Sequence, residues 1–159
     1  MPTLEQGNIS PDGLPSDTAS GNEFNRSASA TPIQRSPLLG IVRLLVVEDH
    51  ADTSRSLVGS LTRHGYIVTI AKDATTALAL AARHRFDLLV SDIGLPDMNG
   101  TELMRQLGAL YGMPGVAVSG YGMEDDIRLS YEAGFSEHLV KPISTSHLID
   151  AIGRVLRKR

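Results

Sequence analysis

The chain of 159 residues contains no cysteine and no tryptophan, and aromatic residues make up only 4% of it. The absence of cysteine excludes disulfide bonds and thiolate metal sites, and it is compatible with the cytosol. No apolar run approaches the roughly 18 residues that a membrane-spanning helix requires. The first residues also lack the basic start and the apolar stretch of a secretory signal. We therefore expect a cytoplasmic protein without membrane insertion.

The sequence also lacks an excess of positive charge, because its formal net charge is -3 at pH 7. This balance gives no reason to expect a nucleic acid or a membrane surface as the main partner. The basic end of the chain, residues 154–159, is interpreted as a favourable helix C-terminus, where cations balance the helix dipole. We expect no direct binding of nucleic acid.

The first 40 residues differ in composition from the remainder. They are rich in Ser, Thr, Pro, Gly and Asn, and their few apolar residues show no sustained period. Such a segment cannot bury enough surface to offset the entropy of ordering it. The sequence predicts a disordered leader over residues 1–40, acting as a tether or spacer, followed by one domain over residues 41–159.

From Arg43 onward, short apolar runs alternate with stretches of helical period. The predicted strands are residues 44–47, 66–70, 87–90, 116–118 and 138–140. The helix faces turned toward a sheet are predicted from Leu57 and Leu61; Ala74, Leu78 and Ala81; Leu103 and Leu107; Ile127 and Tyr131; and Leu148, Ile152 and Leu156. Asp73 and Ser144 stand at expected N-caps, and Gly65 and Gly134 follow helices. The pattern predicts an α/β fold, a five-stranded parallel sheet with helices on both faces.

Polar residues follow four of the predicted strands directly. Glu48 and Asp49 follow the first, Asp92 the third, Ser119 and Gly120 the fourth, and Lys141 and Pro142 the fifth. In an open parallel sheet, ligands bind outside the carboxyl ends of the strands. Each of these residues alone is explained by an ordinary turn, cap or surface position. Their joint placement at one edge predicts a functional site.

Three carboxylates converging on one point repel each other unless a cation lies between them. Oxygen ligands favour Mg²⁺, with Mn²⁺ and Ca²⁺ as substitutes. The expected metal ligands are Glu48, Asp49, Asp92 and a backbone carbonyl of the irregular loop after Asp92, assigned to Gly94. A pocket of this kind suits phosphoryl transfer rather than tight metal storage.

The transfer chemistry is assigned to three side chains. Asp92 is the expected nucleophile and forms an acyl phosphate. Lys141 supplies a positive charge on a long stem, and Ser119 supplies a short hydroxyl donor. Together with the metal they neutralise charge on the transferring phosphoryl group.

The residues over about 115 positions from Arg43 resemble the receiver domains of two-component response regulators. Residues 44–49 (LLVVED) resemble the family's first strand with its acidic pair, and residues 91–100 (SDIGLPDMNG) resemble its phosphoacceptor strand and loop. Residues 118–120 (VSG) and 139–142 (LVKP) complete the resemblance. It implies a flavodoxin-like doubly wound fold with strand order 2-1-3-4-5. It also implies a cis bond before Pro142 and Mg²⁺-dependent transfer from the phosphohistidine of a histidine kinase to Asp92.

One departure from the family pattern concerns switching. Three residues before the lysine, where the family usually has Tyr or Phe, this chain has His138. The family's aromatic residue turns inward together with the hydroxyl residue, so Ser119 and His138 are the expected switch pair. A histidine there is interpreted equally well as a partly exposed residue at a strand end.

The leading hypothesis is a single-domain response regulator or phosphorelay receiver, with at most self-phosphorylation and self-dephosphorylation activity. Its expected partners are a histidine kinase or histidine phosphotransfer protein and an unknown downstream protein, and it is expected to be a monomer or a phosphorylation-dependent dimer. The alternatives are an unphosphorylated receiver-like adaptor and the receiver segment of a hybrid histidine kinase. An aspartyl-phosphate hydrolase of the haloacid dehalogenase kind is disfavoured because it needs a second acid at Gly94. A flavin mononucleotide binder is disfavoured because Glu48 and Asp49 would repel its phosphate.

Overall fold

The computed structural model describes residues 40–159. The predicted leader lies, except for Gly40, outside the described residues. Five strands and five helices alternate along the rest of the chain. The strands are β1 (Arg43–Val47), β2 (Ile67–Ala71), β3 (Leu88–Asp92), β4 (Gly115–Ser119) and β5 (Phe135–Val140). The helices are α1 (Ala51–Arg63), α2 (Ala74–Arg83), α3 (Gly100–Tyr111), α4 (Glu124–Glu132) and α5 (Thr145–Arg157).

All five strands are parallel and lie in the order β2-β1-β3-β4-β5. The predicted doubly wound, flavodoxin-like fold is therefore confirmed. The order reverses between β1 and β3, which places the switch point next to the carboxyl end of β3. Among residues 40–159, none of the helices is long and apolar enough to cross a membrane.

The sheet separates two hydrophobic clusters, and alternate residues of the central strands face them. On β1, Leu44 and Val46 belong to the cluster covered by α1 and α5, whereas Leu45 and Val47 belong to the cluster covered by α2 and α3. All four are almost completely buried. Because successive side chains point to opposite faces of a strand, burial on both faces requires the continuous apolar run seen in the sequence.

The two predicted N-cap residues and the two glycines predicted to follow helices are found at those positions. The side chains of Asp73 and Ser144 accept hydrogen bonds from the backbone amides of Thr76 and His147, so each caps its helix. Gly65 follows α1 with a φ of 85°, and Gly134 follows α4 with a φ of 107°. Residues other than glycine rarely adopt such positive φ angles.

The predicted strand bounds differ from the observed ones by at most three residues, and the largest difference is at the start of β5. This strand begins at Phe135 rather than at His138, because Ser136 and Glu137 interrupt the apolar run without ending the strand. The carboxylate of Glu137 accepts hydrogen bonds of 3.0 and 3.2 Å from the guanidinium of Arg154 on α5. This ion pair lowers the pKa of Glu137 and satisfies a polar residue within the strand.

The predicted sheet-facing side of α4 is wrong at Tyr131, which is 48% exposed. Ser130 is the buried residue of this helix, and Ile127 is half-buried three residues before it. The helix therefore turns a face with a small polar residue toward the sheet. Tyr131 lies off that face because it is only one position from Ser130, about 100° around the helix.

Candidate functional site

Asp92 is the last residue of β3 and lies at the carboxyl edge of the sheet, beside β1 and β4. Its Oδ2 accepts a hydrogen bond of 2.7 Å from Nζ of Lys141, which follows β5. The same Nζ donates to Oε2 of Glu48 at 3.2 Å. The fold thus brings together three of the predicted site residues from the ends of three strands. One cation is shared by two carboxylates.

Glu48 is the most deeply buried acidic residue of this group, with 4% of its surface exposed. Besides Lys141, its carboxylate accepts a hydrogen bond of 3.0 Å from the backbone amide of His50. A buried carboxylate is costly unless its oxygens are hydrogen-bonded or paired. The contacts to Lys141 and His50 meet that requirement and fix the direction in which Glu48 points.

The charge state of Lys141 reflects two opposing effects. Partial burial on its own would lower the pKa of the ammonium group, because burial disfavours a charge. The hydrogen bond and negative charge of Asp92, followed by those of Glu48, outweigh burial and raise the pKa. Lys141 is therefore a cation at physiological pH.

His50 is a neighbour of the acidic pair to which the sequence assigned no role. Its Nδ1 lies 3.0 Å from Oε1 of Glu48 and 2.9 Å from Oδ1 of Asp49. The hydrogen bond to Glu48 and the charges of Asp49 and Glu48 raise the pKa of the imidazole. The only signal in the sequence was its position directly after the acidic pair.

The loop between β3 and α3 holds the carboxylate of Asp92 from the other side. The backbone amide of Gly94 donates to Oδ1 of Asp92 at 2.9 Å. The loop then closes on itself, since the amide of Gly100 donates to the carbonyl of Ile93 at 2.7 Å. A side chain at Gly100 would collide with the backbone carbonyl of Asp92. Gly100 therefore permits the close approach of the loop to the end of β3, where Asp92 lies.

Ser119, the last residue of β4, is buried next to this edge. Its Oγ accepts a hydrogen bond of 3.0 Å from the amide of Tyr121, and its carbonyl accepts one of 2.8 Å from the amide of Lys141. The peptide bond between Lys141 and Pro142 is cis, as the resemblance implies. Ser119 thus connects the β4–α4 loop with the residue that carries the site's cation.

His138 lies on β5 and contacts both α4 and the β4–α4 loop. Its Nδ1 is 2.8 Å from Oγ of Ser130, and its Nε2 is 3.3 Å from the carbonyl oxygen of Tyr121. His138 therefore has hydrogen-bond partners on both of its ring nitrogens. Ser119 and His138, the predicted switch pair, contact the same residue, Tyr121, through its amide and its carbonyl respectively.

A cavity of about 710 Å³ adjoins Asp92, Glu48 and Lys141. It lies between α1 and the start of α5, and its rim includes Asp52, Thr53, Ser56, Ser144 and Thr145. The inner wall is formed by apolar side chains of β1, β3 and β4. The site is thus open to a partner that approaches along α1.

The donor set fits a hard divalent cation. Ligand atoms of Glu48, Asp49 and His50 all lie within 4.8 Å of one another. Among residues 40–159, these three form the one group of acidic, histidine or cysteine side chains that is close enough together to hold a metal ion. Asp92 stands outside this group, with its Oδ2 on Lys141. Carboxylate oxygens are the side-chain ligands that Mg²⁺ prefers. The assignment of Asp92 and the Gly94 carbonyl as further ligands stays a prediction.

The comparison with known proteins agrees with this geometry. The sequence model of the response regulator receiver domain matches residues 44–153. The chain belongs to this family. The receiver fold is shared with a CheY-like receiver domain protein from Methanospirillum hungatei JF-1, with a TM-score of 0.71 and 33% identity over 75% of this chain and 96% of that one.

Two sequence relatives show that similar receiver sequences occur in proteins of different length. An uncharacterized 14.6 kDa protein of Leptolyngbya boryana is 38% identical over 67% of this chain and 83% of its own length. The transcriptional regulatory protein CusR of Escherichia coli is 33% identical over 74% of this chain and 52% of its own length. The chain therefore spans about half the length of the transcriptional regulators it matches. Receiver domains are signalling domains that typically bind Mg²⁺ at an acidic pocket and interact with histidine kinases or phosphotransfer proteins.

Proposed function

We propose that this receiver accepts a phosphoryl group onto Asp92 from the phosphohistidine of a histidine kinase or histidine phosphotransfer protein. It then acts as a single-domain response regulator or phosphorelay intermediate. The observation that carries the proposal is the position of Lys141 between Asp92 and the acidic pair: one ammonium group contacts both Asp92 and Glu48. An aspartate beside a lysine and a group of metal-binding carboxylates is suited to phosphoryl transfer.

In the transfer step, a carboxylate oxygen of Asp92 attacks phosphorus and a P–O bond forms as the P–N bond of the phosphohistidine breaks. The leaving nitrogen of the donor imidazole keeps the electron pair, and the proton carried by the other ring nitrogen of the phosphohistidine leaves the departing ring neutral. Lys141 and the Ser119 hydroxyl stabilise charge on the phosphoryl oxygens as they arrive. Bound Mg²⁺ supplies further neutralisation of that charge. The products are an acyl phosphate on Asp92 and a neutral histidine on the donor.

The cavity along α1 supplies the route for the donor. Its lining includes the short side chains of Thr53, Ser56 and Ser144, and we infer that a partner helix bearing the phosphohistidine approaches there. The carboxylate of Asp92 is at the end of this cavity. The side chain of Asp92 is 12% exposed, and we infer that the donor imidazole approaches it from the exposed side.

The output is a change in the surface formed by the β4–α4 loop, α4 and β5, which we call the output surface. Five of the nine large hydrophobic side chains that are exposed among residues 40–159 lie there: Tyr121, Met123, Leu129, Tyr131 and Val140. Their exposed fractions run from 41% to 76%. Exposed apolar side chains concentrated in one region are typical of protein-binding surfaces.

The contacts of Ser119 and His138 provide the coupling between the phosphoacceptor and the output surface. A phosphoryl group on Asp92 attracts the Ser119 hydroxyl, and movement of that hydroxyl breaks its bond to the Tyr121 amide. The Tyr121 carbonyl is then free to leave Nε2 of His138. Both of these backbone hydrogen bonds of Tyr121 are then lost, which releases the loop that connects β4 to α4.

The hydroxyl of Ser130 gives this coupling two alternative arrangements. Its single proton is directed either to the carbonyl of Ile127, at 2.8 Å, or to Nδ1 of His138, also at 2.8 Å. When His138 donates from Nε2 to Tyr121, the neutral ring needs the Ser130 proton on Nδ1. When that bond to Tyr121 is lost, the ring donates from Nδ1 and Ser130 turns to Ile127. The contact is a two-state element of the kind that a switch requires.

The experiment is intact-protein mass after incubation with acetyl phosphate and with a phosphohistidine donor, with and without Mg²⁺. Wild type, Asp92→Asn and Asp125→Asn are compared; the last removes a carboxylate that is exposed on α4. We expect a Mg²⁺-dependent gain of one phosphoryl mass in wild type and Asp125→Asn and none in Asp92→Asn. No gain in wild type from either donor would favour the unphosphorylated adaptor and overturn the proposal.

A further inference from the structure

The ring of His50 lies beside the acidic pair and does not cap α1, although His50 is the residue that precedes this helix. His50 is the N-cap residue of α1, a position where the side chain commonly accepts a hydrogen bond from the first turn. Here its side chain makes no capping bond. The ring is instead directed toward Glu48 and Asp49, while 72% of the side chain stays exposed to solvent. Its position is explained by the acidic pair and not by α1.

The distances around Nδ1 match those of adjacent ligands on one octahedral ion. At a metal–ligand distance of about 2.1 Å, neighbouring ligand atoms of an octahedron lie about 3.0 Å apart. Nδ1 of His50 is 2.9 Å from Oδ1 of Asp49 and 3.0 Å from Oε1 of Glu48. An ion bound by both of these oxygens would therefore have Nδ1 of His50 as the neighbouring donor atom.

We propose that His50 is a side-chain ligand of the metal site, and that it shifts the preference of the site from Mg²⁺ toward Mn²⁺ and the later first-row divalent ions. The proposal rests on the metal-dependent function proposed above. Mg²⁺ favours oxygen ligands and holds its waters tightly, whereas affinity for imidazole nitrogen rises along the series from Mn²⁺ to Cu²⁺. A site with two carboxylates and one imidazole therefore prefers Mn²⁺ over Mg²⁺ more strongly than a site with carboxylates alone.

The test compares the full chain with His50→Phe, which keeps a planar ring but has no nitrogen. His84→Phe is the matched control, because this exposed histidine ends α2 at the opposite edge of the sheet. Dissociation constants for Mn²⁺ are measured from the free-ion electron paramagnetic resonance signal, at the same pH for all three proteins because metal binding competes with protons. Those for Mg²⁺ follow from competition with Mn²⁺. Circular dichroism melts establish that each variant is folded.

We expect His50→Phe to weaken Mn²⁺ binding by about tenfold or more while changing Mg²⁺ binding much less. His84→Phe should change neither. Pulsed electron paramagnetic resonance should detect a directly bound ¹⁴N in wild type and His84→Phe, and none in His50→Phe. This second measurement depends on the ligand atom and not on the stability of the variant.

Two outcomes would overturn the proposal and are distinguishable. In the first, wild type binds Mn²⁺ without a ¹⁴N coupling, and His50→Phe leaves the ratio of Mn²⁺ affinity to Mg²⁺ affinity unchanged. His50 would then not be a metal ligand, and the proposed function would be unaffected. Failure of wild type to bind either ion would overturn the metal site itself and the role of His50 with it.

Discussion

Glu48, Asp92 and Lys141 form a pocket in which one ammonium group is shared by two carboxylates. The arrangement leaves more negative than positive charge at the edge of the sheet once Asp49 is included. A cation is needed to complete it, and a phosphoryl group on Asp92 would attract Nζ of Lys141 away from Glu48. This charge distribution supports the proposed binding of a metal ion and the proposed transfer of a phosphoryl group.

Gly100 tests how strictly the backbone positions Asp92. We predict that Gly100→Ala destabilises the domain by about 2 kcal/mol or more, because the new methyl group meets the Asp92 carbonyl and lies 2.8 Å from Cα of Ile93. These are backbone atoms, so relief requires movement of the β3–α3 loop. Urea unfolding measures the change in free energy.

Gly59, within α1, is the matched control for this substitution. A Cβ built there meets nothing within 4 Å. We expect Gly59→Ala to stabilise the domain by about 0.5–1 kcal/mol, since alanine loses less backbone entropy in a helix. A Gly100→Ala variant as stable as wild type would show that the loop yields easily and would contradict the close-approach argument.

At the scale of single residues, the sequence predicts which side chains reach the site but not how they bond. Asp92, Lys141 and Glu48 follow strands whose apolar runs are unmistakable, and parallel strands end at one edge. The ring of His50 and the bond between Ser119 and Tyr121 depend on side-chain rotamers and on the path of a loop. No period or spacing in the sequence encodes those.

At the scale of the elements, the N-terminus of α2 is capped by two carboxylates, one next to the helix in sequence and one from the β3–α3 loop. Its own N-cap, Asp73, accepts from the amide of Thr76. Asp97, from the β3–α3 loop, accepts from the amides of Ala74 and Thr75 and from the Thr75 hydroxyl. These bonds satisfy the first three amides of the helix, which have no partner within it. The loop that carries Asp92 is thereby attached to the neighbouring helix.

We predict that this attachment depends on pH. Hydrogen bonds from the Thr75 side chain and backbone, and then from Ala74, lower the pKa of the Asp97 carboxyl from 3.8 to about 2. A group whose pKa is lower in the folded state adds stability above its unfolded pKa, and this contribution disappears as the pH falls through the folded value. Wild type should therefore exceed Asp97→Asn in melting temperature above about pH 4, and the difference should narrow toward about pH 2.

Thermal melts of both proteins across that range make the measurement. Asp126→Asn, on α4, controls for the removal of one carboxylate. A difference between wild type and Asp97→Asn that stays constant down to the lowest pH would argue that the charge of Asp97 contributes nothing and that any effect comes from lost packing.

The order and type of the elements could be predicted because each strand and helix has its own period, but α4 could not be oriented. Ile127 and Tyr131, four residues apart, suggest one face of the helix, but Leu129 lies on another face and Tyr131 is exposed. Its buried position is Ser130, whose partner His138 lies on another element. Long-range pairs such as this one, or Asp97 with α2, leave no local pattern in the sequence.

For the domain as a whole, α4 is the helix least attached to the two cores. Neither hydrophobic cluster includes a residue of α4, whereas α1 and α5 share one cluster and α2 and α3 the other. Its contacts are mainly with β5. An element with few buried apolar contacts opens at low free-energy cost, so α4 is the part of the domain that a change at Asp92 moves most easily.

We predict that Ser119→Ala accepts a phosphoryl group on Asp92 but no longer transmits it to α4, because the variant lacks the hydroxyl that accepts the hydrogen bond of the Tyr121 amide. The measurement is amide hydrogen exchange of residues 120–132 before and after phosphorylation, with intact mass to establish that Asp92 is modified. Wild type should exchange faster in this segment once phosphorylated. His138→Ala should exchange fast in both states, because the β4–α4 loop has lost its bond at the Tyr121 carbonyl.

The double variant decides whether the two residues act through one path. If Ser119 and His138 both act on the peptide units of Tyr121, adding Ser119→Ala to His138→Ala should change little, with a coupling free energy of about 0.5–3 kcal/mol. His147→Ala, at an exposed position of α5, should behave as wild type. Equal responses to phosphorylation in wild type and Ser119→Ala would place the coupling elsewhere, with Lys141, which reaches Asp92 from the end of β5, as the next residue to test.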